Sequence, residues 1–205
     1  MPTPVATILI VTKNRKDELV RAIDSALTQS VPVEVFVIDD ASTDGTFELV
    51  KCKFPTVRLE RVEQSCGYVI HRNHGVKTAT TDIVISIDDD ATFPSPRTVE
   101  QTLAEFSHKR IGAVAIPYID MFINASNVRQ IAPAAEGIHV CGEYRGTAHA
   151  LRKEVFTRLG GYHEILFYAG EERDYCLRML ASGYVTRLGR ADPIHHFESP
   201  NRNRA

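Results

Sequence analysis

Asp82-Ile-Val-Ile-Ser-Ile-Asp88-Asp89-Asp90-Ala-Thr-Phe93 joins a short apolar run to three consecutive carboxylates. The run is nearly continuous and rich in β-branched residues, which is typical of a strand buried on both faces of a sheet. Three acids at the end of such a strand cost several kcal/mol unless a cation or hydrogen-bond donors compensate them. The segment therefore predicts a central strand whose carboxyl end faces a charged ligand.

The spacing of the three acids predicts how they divide between the two sides of the strand. Asp88 and Asp90 are two residues apart and project to the same side, whereas Asp89 points away. Two converging carboxylates suit a hydrated Mg²⁺ or Mn²⁺ that holds phosphates, and ligands of open α/β sheets bind at this edge. A solvated acidic turn or a set of helix N-caps explains the segment equally well when it is taken alone.

The length of 205 residues is enough for one sizeable α/β domain or at most two small ones, and we expect a single soluble domain over residues 1–205. Hydrophobic residues make up 43% and charged residues 24%, and the net charge of −2 with dispersed basic residues argues against nucleic acid as a partner. Four scattered cysteines without Cys-x-x-Cys spacing predict reduced thiols rather than a disulfide framework or structural zinc. No apolar run reaches the ~20 residues of a membrane span, and the N-terminus lacks a secretory pattern. We expect a cytoplasmic protein and leave peripheral association with the inner face of the membrane open.

Strands and helices alternate in the first half of the chain, which predicts a parallel, doubly wound sheet with helices on both faces. We expect residues 1–93 to form the nucleotide-binding half. The predicted strands are 5–12, 33–38, 57–62 and 83–87, and the predicted helices are 17–29, 47–52 and 68–78.

The second half, 94–205, is less regular, and we expect it to bind the acceptor and supply the catalytic group. Helices are predicted at 99–106, 153–159 and 169–182, and strands at 111–116 and 184–188. Residues 146–152 indicate a short strand or an extended edge, and 124–143 has no assignment.

Four polar clusters are candidates for chemistry, although each alone has an ordinary structural explanation. Two of them end strands, and two lie in the second half. They are Asp39-Asp40, Asp88-Asp89-Asp90, Glu171-Glu172 with Asp174, and His195-His196.

In this order and spacing, the motifs resemble the inverting family-2 glycosyltransferases, which have the GT-A fold. The resemblance covers roughly residues 5–200. It rests on Thr7-Ile-Leu-Ile-Val-Thr-Lys-Asn-Arg15, Val35-Phe-Val-Ile-Asp-Asp-Ala-Ser-Thr-Asp-Gly-Thr46, Gly67 with His71-Arg72-Asn73-His-Gly75, Ile85-Ser-Ile-Asp-Asp-Asp90, Leu159-Gly-Gly-Tyr162 and Gly170-Glu-Glu-Arg-Asp-Tyr-Cys-Leu-Arg178.

The resemblance implies a nucleotide-binding site and a Mn²⁺ or Mg²⁺ cofactor. The implied metal ligands are Asp88, Asp90 and His196, with His195 as the other candidate for the histidine position. The implied nucleotide-binding residues are Val11, Thr12, Lys13, Asn14, Arg15, Asp39, Asp40, Arg72, Asp88 and Asp89.

Glu172, six residues before Arg178, matches the position of the family's catalytic base. The family more often has a Glu-Asp pair there, so Glu171-Glu172 leaves open which glutamate is nearer the acceptor. An unperturbed glutamate pKa of about 4.3 predicts an ionised base at neutral pH. Glu171, Asp174 and His195 are expected to contact the acceptor or support the site.

The resemblance implies transfer of a sugar, with inversion, from a nucleoside-diphosphate donor to an acceptor hydroxyl. UDP-sugar is the commoner donor, and the acceptor is a glycan, a lipid-linked molecule or a small molecule. Asp88-x-Asp90-x-Thr92 also fits the nucleophile loop of haloacid-dehalogenase-like phosphatases, but that loop normally follows the first strand. A non-catalytic nucleotide-sugar-binding module is the remaining alternative.

Overall fold

The computed structural model describes residues 2–166 and 169–198, and residues 83–88 form a strand inside its large sheet. Along the chain the elements are β1 (Ala6–Thr12), α1 (Lys16–Leu27), β2 (Val33–Asp39), α2 (Thr46–Lys53), β3 (Arg58–Arg61), α3 (Tyr68–Thr78), β4 (Ile83–Asp88), β5 (Ala91–Thr92), α4 (Thr98–Ala104), β6 (Ile111–Ala115), β7 (Tyr118–Asp120), α5 (Met121–Asn124), β8 (Val128–Arg129), β9 (Val140–Cys141), β10 (Ala148–Arg152), α6 (Lys153–Arg158), α7 (Glu171–Ala181), β11 (Val185–Leu188) and β12 (Ile194–His196).

The large sheet has eight strands in the order β3-β2-β1-β4-β10-β6-β11-β9. Strands β3, β2, β1 and β4 are parallel, and β11 is parallel to β6, whereas β10 and β9 run antiparallel to their neighbours. The predicted α/β class with a mostly parallel sheet is confirmed. Its first-half strands end at one edge, since Thr12 is level with Asp39 and Val11 is level with Asp88.

Helices cover both faces of this sheet, as the doubly wound pattern predicts. One apolar cluster packs α1 and α4 against side chains such as Ile8, Ile10 and Ile85. The other packs α3, α6 and α7 against side chains such as Leu9 and Val84. Because both faces are covered, β4 is buried, in agreement with its apolar run. No helix within 2–166 and 169–198 has the length and apolar character needed to cross a bilayer.

Of the two alternatives for 146–152, the short strand is confirmed as β10 and the extended edge is wrong, because β10 lies in the interior between β4 and β6. Ala148, His149, Ala150 and Leu151 are almost completely buried. Two alanines and a histidine give little apolar signal in the sequence, yet small side chains fit where helices cover the sheet on both faces. Strand β10 thus joins the sheet strands of the two predicted halves.

A small second sheet, in the order β5-β12-β7-β8, lies beyond the carboxyl end of β4. Its strands are only two or three residues long, which is why none was predicted. Strand β12 pairs antiparallel with β5 and parallel with β7. This sheet carries the C-terminal histidines to the acidic end of β4.

Helix α3 packs closely on β1, and Gly75 makes this possible. A Cβ atom at Gly75 would lie 2.5 Å from a methyl carbon of Leu9. The close approach presents His71, Arg72 and Asn73 toward the protein interior, where all three are buried.

Hydrogen bonds hold the turn after α6, residues 159–162, against α3 and α7. Asn73 accepts a hydrogen bond from the Tyr162 amide at 2.8 Å and donates one to the Tyr162 carbonyl at 2.9 Å. Arg178 donates to the carbonyls of Leu159 and Gly161 at 2.8 and 2.7 Å. These bonds give the Leu159–Tyr162 and Gly170–Arg178 motifs a common structural role.

Replacing either glycine of this turn by alanine tests the contact with Asn73. Gly160 and Gly161 both have left-handed φ, +85° and +77°, so alanine costs about 1–2 kcal/mol at each. Only at Gly161 would the new Cβ lie 2.6 Å from Asn73 Oδ1, whereas at Gly160 the space is open. We expect Gly161→Ala to lower the free energy of unfolding by roughly 1–3 kcal/mol more than Gly160→Ala. If urea denaturation gives the same loss of unfolding free energy for both variants, the close packing of Gly161 against Asn73 is contradicted.

Candidate active site

Asp88, Asp90 and His196 converge at the carboxyl end of β4. The Nε2 atom of His196 lies 3.4 Å from Asp90 Oδ1 and 3.9 Å from Asp88 Oδ2. One ligand atom from each residue lies within 4.8 Å of the others. Asp88 and Asp90 therefore lie together, as their spacing predicts, and the His196 imidazole faces both of them.

Pairing in the small sheet explains why His196, not His195, joins this cluster. His196 is level with Ala91 on one side and Asp120 on the other, and the Phe197 amide donates to the Asp90 carbonyl at 2.9 Å. Side chains alternate along a strand, so His195 projects to the other face. Its ring centroid lies 6.4 Å from that of Phe197.

Asp120 is a site residue that the sequence analysis missed. The Nδ1 atom of His196 lies 2.8 Å from Asp120 Oδ1, an interaction that orients the ring and leaves Nε2 facing the two aspartates. Burial opposes protonation of His196, but Asp90, Asp88 and Asp120 outweigh it and raise the pKa of His196 to about 9. Nothing in Pro117-Tyr-Ile-Asp120 marks this aspartate, because only tertiary pairing with β12 brings it to the site.

Asp89 faces β1 and the loop after it. Its carboxylate accepts hydrogen bonds from Thr12 and Arg15, both at 2.8 Å. Burial raises the pKa of Asp89 to about 7, although the Arg15 charge opposes the shift. Arg15 also lies 3.5 Å from Asp90, so it contributes positive charge to both aspartates.

Asp40 lies in a polar pocket between the end of β2 and the start of α3. Its carboxylate accepts hydrogen bonds from Ser65 at 2.7 Å and from the Cys66 amide at 2.9 Å, and it lies 2.7 Å from His71 Nε2. Burial alone would raise the pKa of Asp40, but these partners outweigh it and hold the pKa below its ordinary value. Lys13 donates to Ser65 at 2.8 Å and so adjoins the same pocket.

Asp39 and Asn14 shape the loop beside this pocket through local hydrogen bonds. Asp39 is fully buried and accepts from the Ser42 amide at 2.9 Å. Asn14 has a positive φ of 54° and accepts from the Thr43 amide at 2.7 Å. Val11 is the partly buried neighbour of Asp88 in the sheet.

Arg72 connects the acidic end of β4 to the start of α7. Its guanidinium donates to Asp88 at 2.7 Å and to the Gly146 carbonyl at 3.2 Å. It also lies 3.6 Å from a carboxylate oxygen of Glu172 and 3.8 Å from one of Glu171. The side chain is only 7% exposed, so these anions replace water as its partners.

The two glutamates differ in access to solvent. The Glu171 side chain is fully buried, whereas that of Glu172 is 17% exposed. Burial raises the pKa of Glu172 to about 7, with Glu171 adding to the shift and Arg72 opposing it. The expectation of an unperturbed glutamate at this position is therefore wrong.

Asp174 lies one turn further along α7 and pairs within its own helix. Its carboxylate is 2.7 Å from Arg178 and 3.6 Å from His163. This pair holds the Arg178 side chain that fastens the Leu159–Tyr162 turn.

The sheet order and the acidic strand end define a protein of the GT-A fold. The model of the family described as glycosyl transferase family 2 matches residues 7–160, which is most of the chain. The protein therefore belongs to glycosyl transferase family 2. This membership favours the glycosyltransferase interpretation over the phosphatase alternative.

Two curated relatives come from Rhizobium meliloti. The succinoglycan biosynthesis protein ExoU is 31% identical over 202 residues, which cover 89% of this chain and 58% of the relative. The succinoglycan biosynthesis protein ExoO is 40% identical over 91 residues, which cover 43% of this chain and 26% of the relative. The matched region is thus well short of the full length of either relative.

Solved structures share the fold at low sequence identity. The mannosyltransferase PcManGT from Pyrobaculum calidifontis, solved with GDP-Man and Mn²⁺, has a TM-score of 0.77 and 23% identity, covering 97% of this chain and 58% of that one. GalNAc-T7, solved with UDP, GalNAc and Mn²⁺, has a TM-score of 0.77 and 16% identity, covering 97% of this chain and 44% of that one.

Removing the Arg72 charge should destabilise the protein in a pH-dependent way. We expect Arg72→Met to lower the free energy of unfolding by about 3–5 kcal/mol at pH 8, because Asp88, Glu171 and Glu172 lose their shared cation. Burial already raises the folded-state pKa of Glu172 to about 7 against the opposing charge of Arg72, so removing that charge raises it further above the unfolded value. The penalty is then complete above the folded-state values and shrinks as the pH falls through them.

Arg72→Lys is the control, since it keeps the charge at this position. Urea denaturation at pH 8 and pH 5.5 measures both variants. If Arg72→Met loses the same free energy of unfolding at pH 8 and at pH 5.5, the stabilising interaction of Arg72 with these carboxylates is contradicted.

Proposed function

We propose that this protein transfers a sugar from a nucleoside-diphosphate donor to an acceptor hydroxyl, with inversion and with a divalent cation bound by Asp88, Asp90 and His196. The observation that supports this most directly is the position of Arg72. One buried guanidinium adjoins both Asp88 of the cation cluster and Glu172, a partly exposed carboxylate with a raised pKa. The proposed cation site and the proposed base therefore lie on either side of one guanidinium, close enough to act on the same donor.

The donor atoms at the end of β4 fit the proposed cation. Two carboxylates and one imidazole form a set of hard oxygen and borderline nitrogen ligands, which suits Mn²⁺ and, with more water, Mg²⁺. The bond from His196 to Asp120 has the form that often supports a metal-bound histidine. When bound, the cation supplies Lewis-acid stabilisation of the departing diphosphate.

Glu172 is the proposed general base. Its carboxylate would accept the proton of the acceptor hydroxyl while that oxygen attacks the anomeric carbon from the face opposite the leaving diphosphate. A single displacement of this kind inverts the anomeric configuration. A pKa near 7 suits this role, since the base is then largely ionised at neutral pH and retains useful basicity.

The donor pocket is proposed at the shared edge of β1, β2 and β4. Asp40 and Arg72 would contact the nucleotide, and Thr12, Arg15 and Asp89 form the hydrogen-bonded group beside it. The remaining proposed contacts are Val11, Lys13, Asn14 and Asp39. UDP-sugar is our first choice of donor, although the neighbours solved with GDP-Man and UDP differ in their nucleotide.

The acceptor is proposed to be a growing glycan, free or lipid-linked. The two succinoglycan biosynthesis relatives support a role in polysaccharide assembly. We also propose that the protein works in the cytoplasm, at or near the inner face of the membrane, and the scattered cysteines are consistent with a reducing compartment.

Glu172→Gln tests the proposed base. We expect turnover to fall ~10²–10⁴-fold, because the amide cannot accept the acceptor proton. In the unmodified protein, kcat/KM should rise with pH through about 7 and then level off, since Glu172 must be ionised to act. Release of nucleoside diphosphate from a donor panel measures both.

Glu154→Gln is the matched control, because Glu154 is also a first-turn helix glutamate but its side chain is 79% exposed. A fully retained rate in Glu172→Gln would remove this residue from the mechanism. If kcat/KM of the unmodified protein does not change with pH near 7, the raised pKa of Glu172 is contradicted.

Asp90→Asn tests the cation site through binding alone. The substitution removes one of the three proposed ligands, so the Kd for Mn²⁺ should rise at least ~10–100-fold. Mutating a residue that only supports a metal ligand already costs that much. Asp24→Asn, at an exposed aspartate paired with Lys53, should leave Mn²⁺ binding unchanged. Titration calorimetry that gives equal Kd values for the two variants would place the cation elsewhere.

A further inference from the structure

A second set of potential metal ligands lies beside the proposed nucleotide pocket. It consists of Asp40, Cys66 and His71, and one ligand atom from each lies within 4.8 Å of the others. His71 Nε2 is 2.7 Å from Asp40 Oδ1 and 3.4 Å from Cys66 Sγ. Three different donor atoms, oxygen, nitrogen and sulfur, thus converge on one point.

Three separate parts of the chain build this arrangement. Asp40 follows β2, and His71 lies in the first turns of α3, on the face buried against the sheet. Cys66 lies in the loop before α3, where its amide donates to Asp40 at 2.9 Å. That backbone bond fixes the position of Cys66, whose Sγ lies 3.4 Å from His71 Nε2.

The donor set differs in chemistry from the cluster at the end of β4. Thiolate sulfur favours Zn²⁺ over Mn²⁺ or Mg²⁺, and the other cluster contains no sulfur. Ordinary Zn–S and Zn–N lengths at a tetrahedral ion separate sulfur and nitrogen by about 3.6 Å, close to the 3.4 Å found here. Asp40 would have to move back by less than about 1 Å to reach the corresponding O–N separation.

We propose that Asp40, Cys66 and His71 bind Zn²⁺, with water as the fourth ligand, and that zinc bound there excludes the donor nucleotide. On binding, the Cys66 thiol proton leaves to solvent, and His71 coordinates through Nε2 as the neutral imidazole protonated at Nδ1. Asp40 exchanges its interaction with His71 for a bond to the metal.

The inhibitory part of this inference rests on the proposed function, which assigns Asp40 to the nucleotide. A zinc ion bound to Asp40 would neutralise the charge of this carboxylate and, with its water ligand, would occupy the space beside it, so the nucleotide would lose this contact. Zinc and nucleotide therefore compete, and each lowers the apparent affinity of the other by the same factor.

Co²⁺ is the probe for the site, because a cobalt–thiolate bond gives an intense charge-transfer band in the near ultraviolet. We expect the band in the unmodified 205-residue chain, kept reduced with a phosphine, and its loss when Zn²⁺ is added. Cys66→Ser and Cys66→Ala should both abolish it, and Cys52→Ser should retain it because Cys52 is an exposed cysteine outside the cluster. The absence of the band, or its survival in both folded Cys66 variants, would overturn the site.

Binding of UDP in saturating Mn²⁺ tests the competition. One equivalent of Zn²⁺ should weaken UDP binding ~10-fold or more in the unmodified protein and have no effect in Cys66→Ser. The same zinc effect in both proteins, or none in either, would overturn the inhibitory role. If neither UDP nor GDP binds in the absence of zinc, the proposed donor site fails, whereas the cobalt band still decides the metal site.

Discussion

The buried guanidinium of Arg72 is the interaction on which the candidate site depends. Asp88, Glu171 and Glu172 come from a strand end and a helix start that are far apart in sequence, and their negative charges repel. A single cation within 4 Å of all three makes their approach possible where the guanidinium itself is only 7% exposed. The guanidinium also leaves Glu172 with a pKa near 7 instead of the higher value that burial beside Glu171 would otherwise give.

Helix α3 supplies this cation because three successive residues on it face three different parts of the structure. His71 contacts Asp40, Arg72 contacts Asp88, and Asn73 binds the backbone of Tyr162. Successive helical residues are about 100° apart, so all three can be engaged only if the helix is surrounded on most sides. The close contact at Gly75 brings the helix near enough to β1 for this to happen.

Local patterns in the sequence predict the parts of the site that depend on one element. The period of two along a strand places Asp88 and Asp90 together, and parallel strands place Asp39 and Asp88 at one edge. The interior position of β10, the contact from Asp120 to His196 and the pKa of Glu172 depend instead on tertiary packing. Short strands such as β12 are stabilised by their neighbours, so their own residues carry almost no signal.

The proton on His196 and the proposed cation serve the same electrostatic need. Asp88, Asp90 and Asp120 surround this imidazole and raise its pKa to about 9, so without metal the ring is positively charged at neutral pH. That charge partly compensates the acids at the end of β4, as Arg15 does from the other side. A metal ligand must be the neutral imidazole, so binding of the proposed cation would exchange this proton for a divalent charge. The acidic strand end is compensated by His196 and Arg15 without metal and would be compensated by the proposed cation when it is bound, which explains how three consecutive aspartates can end a buried strand.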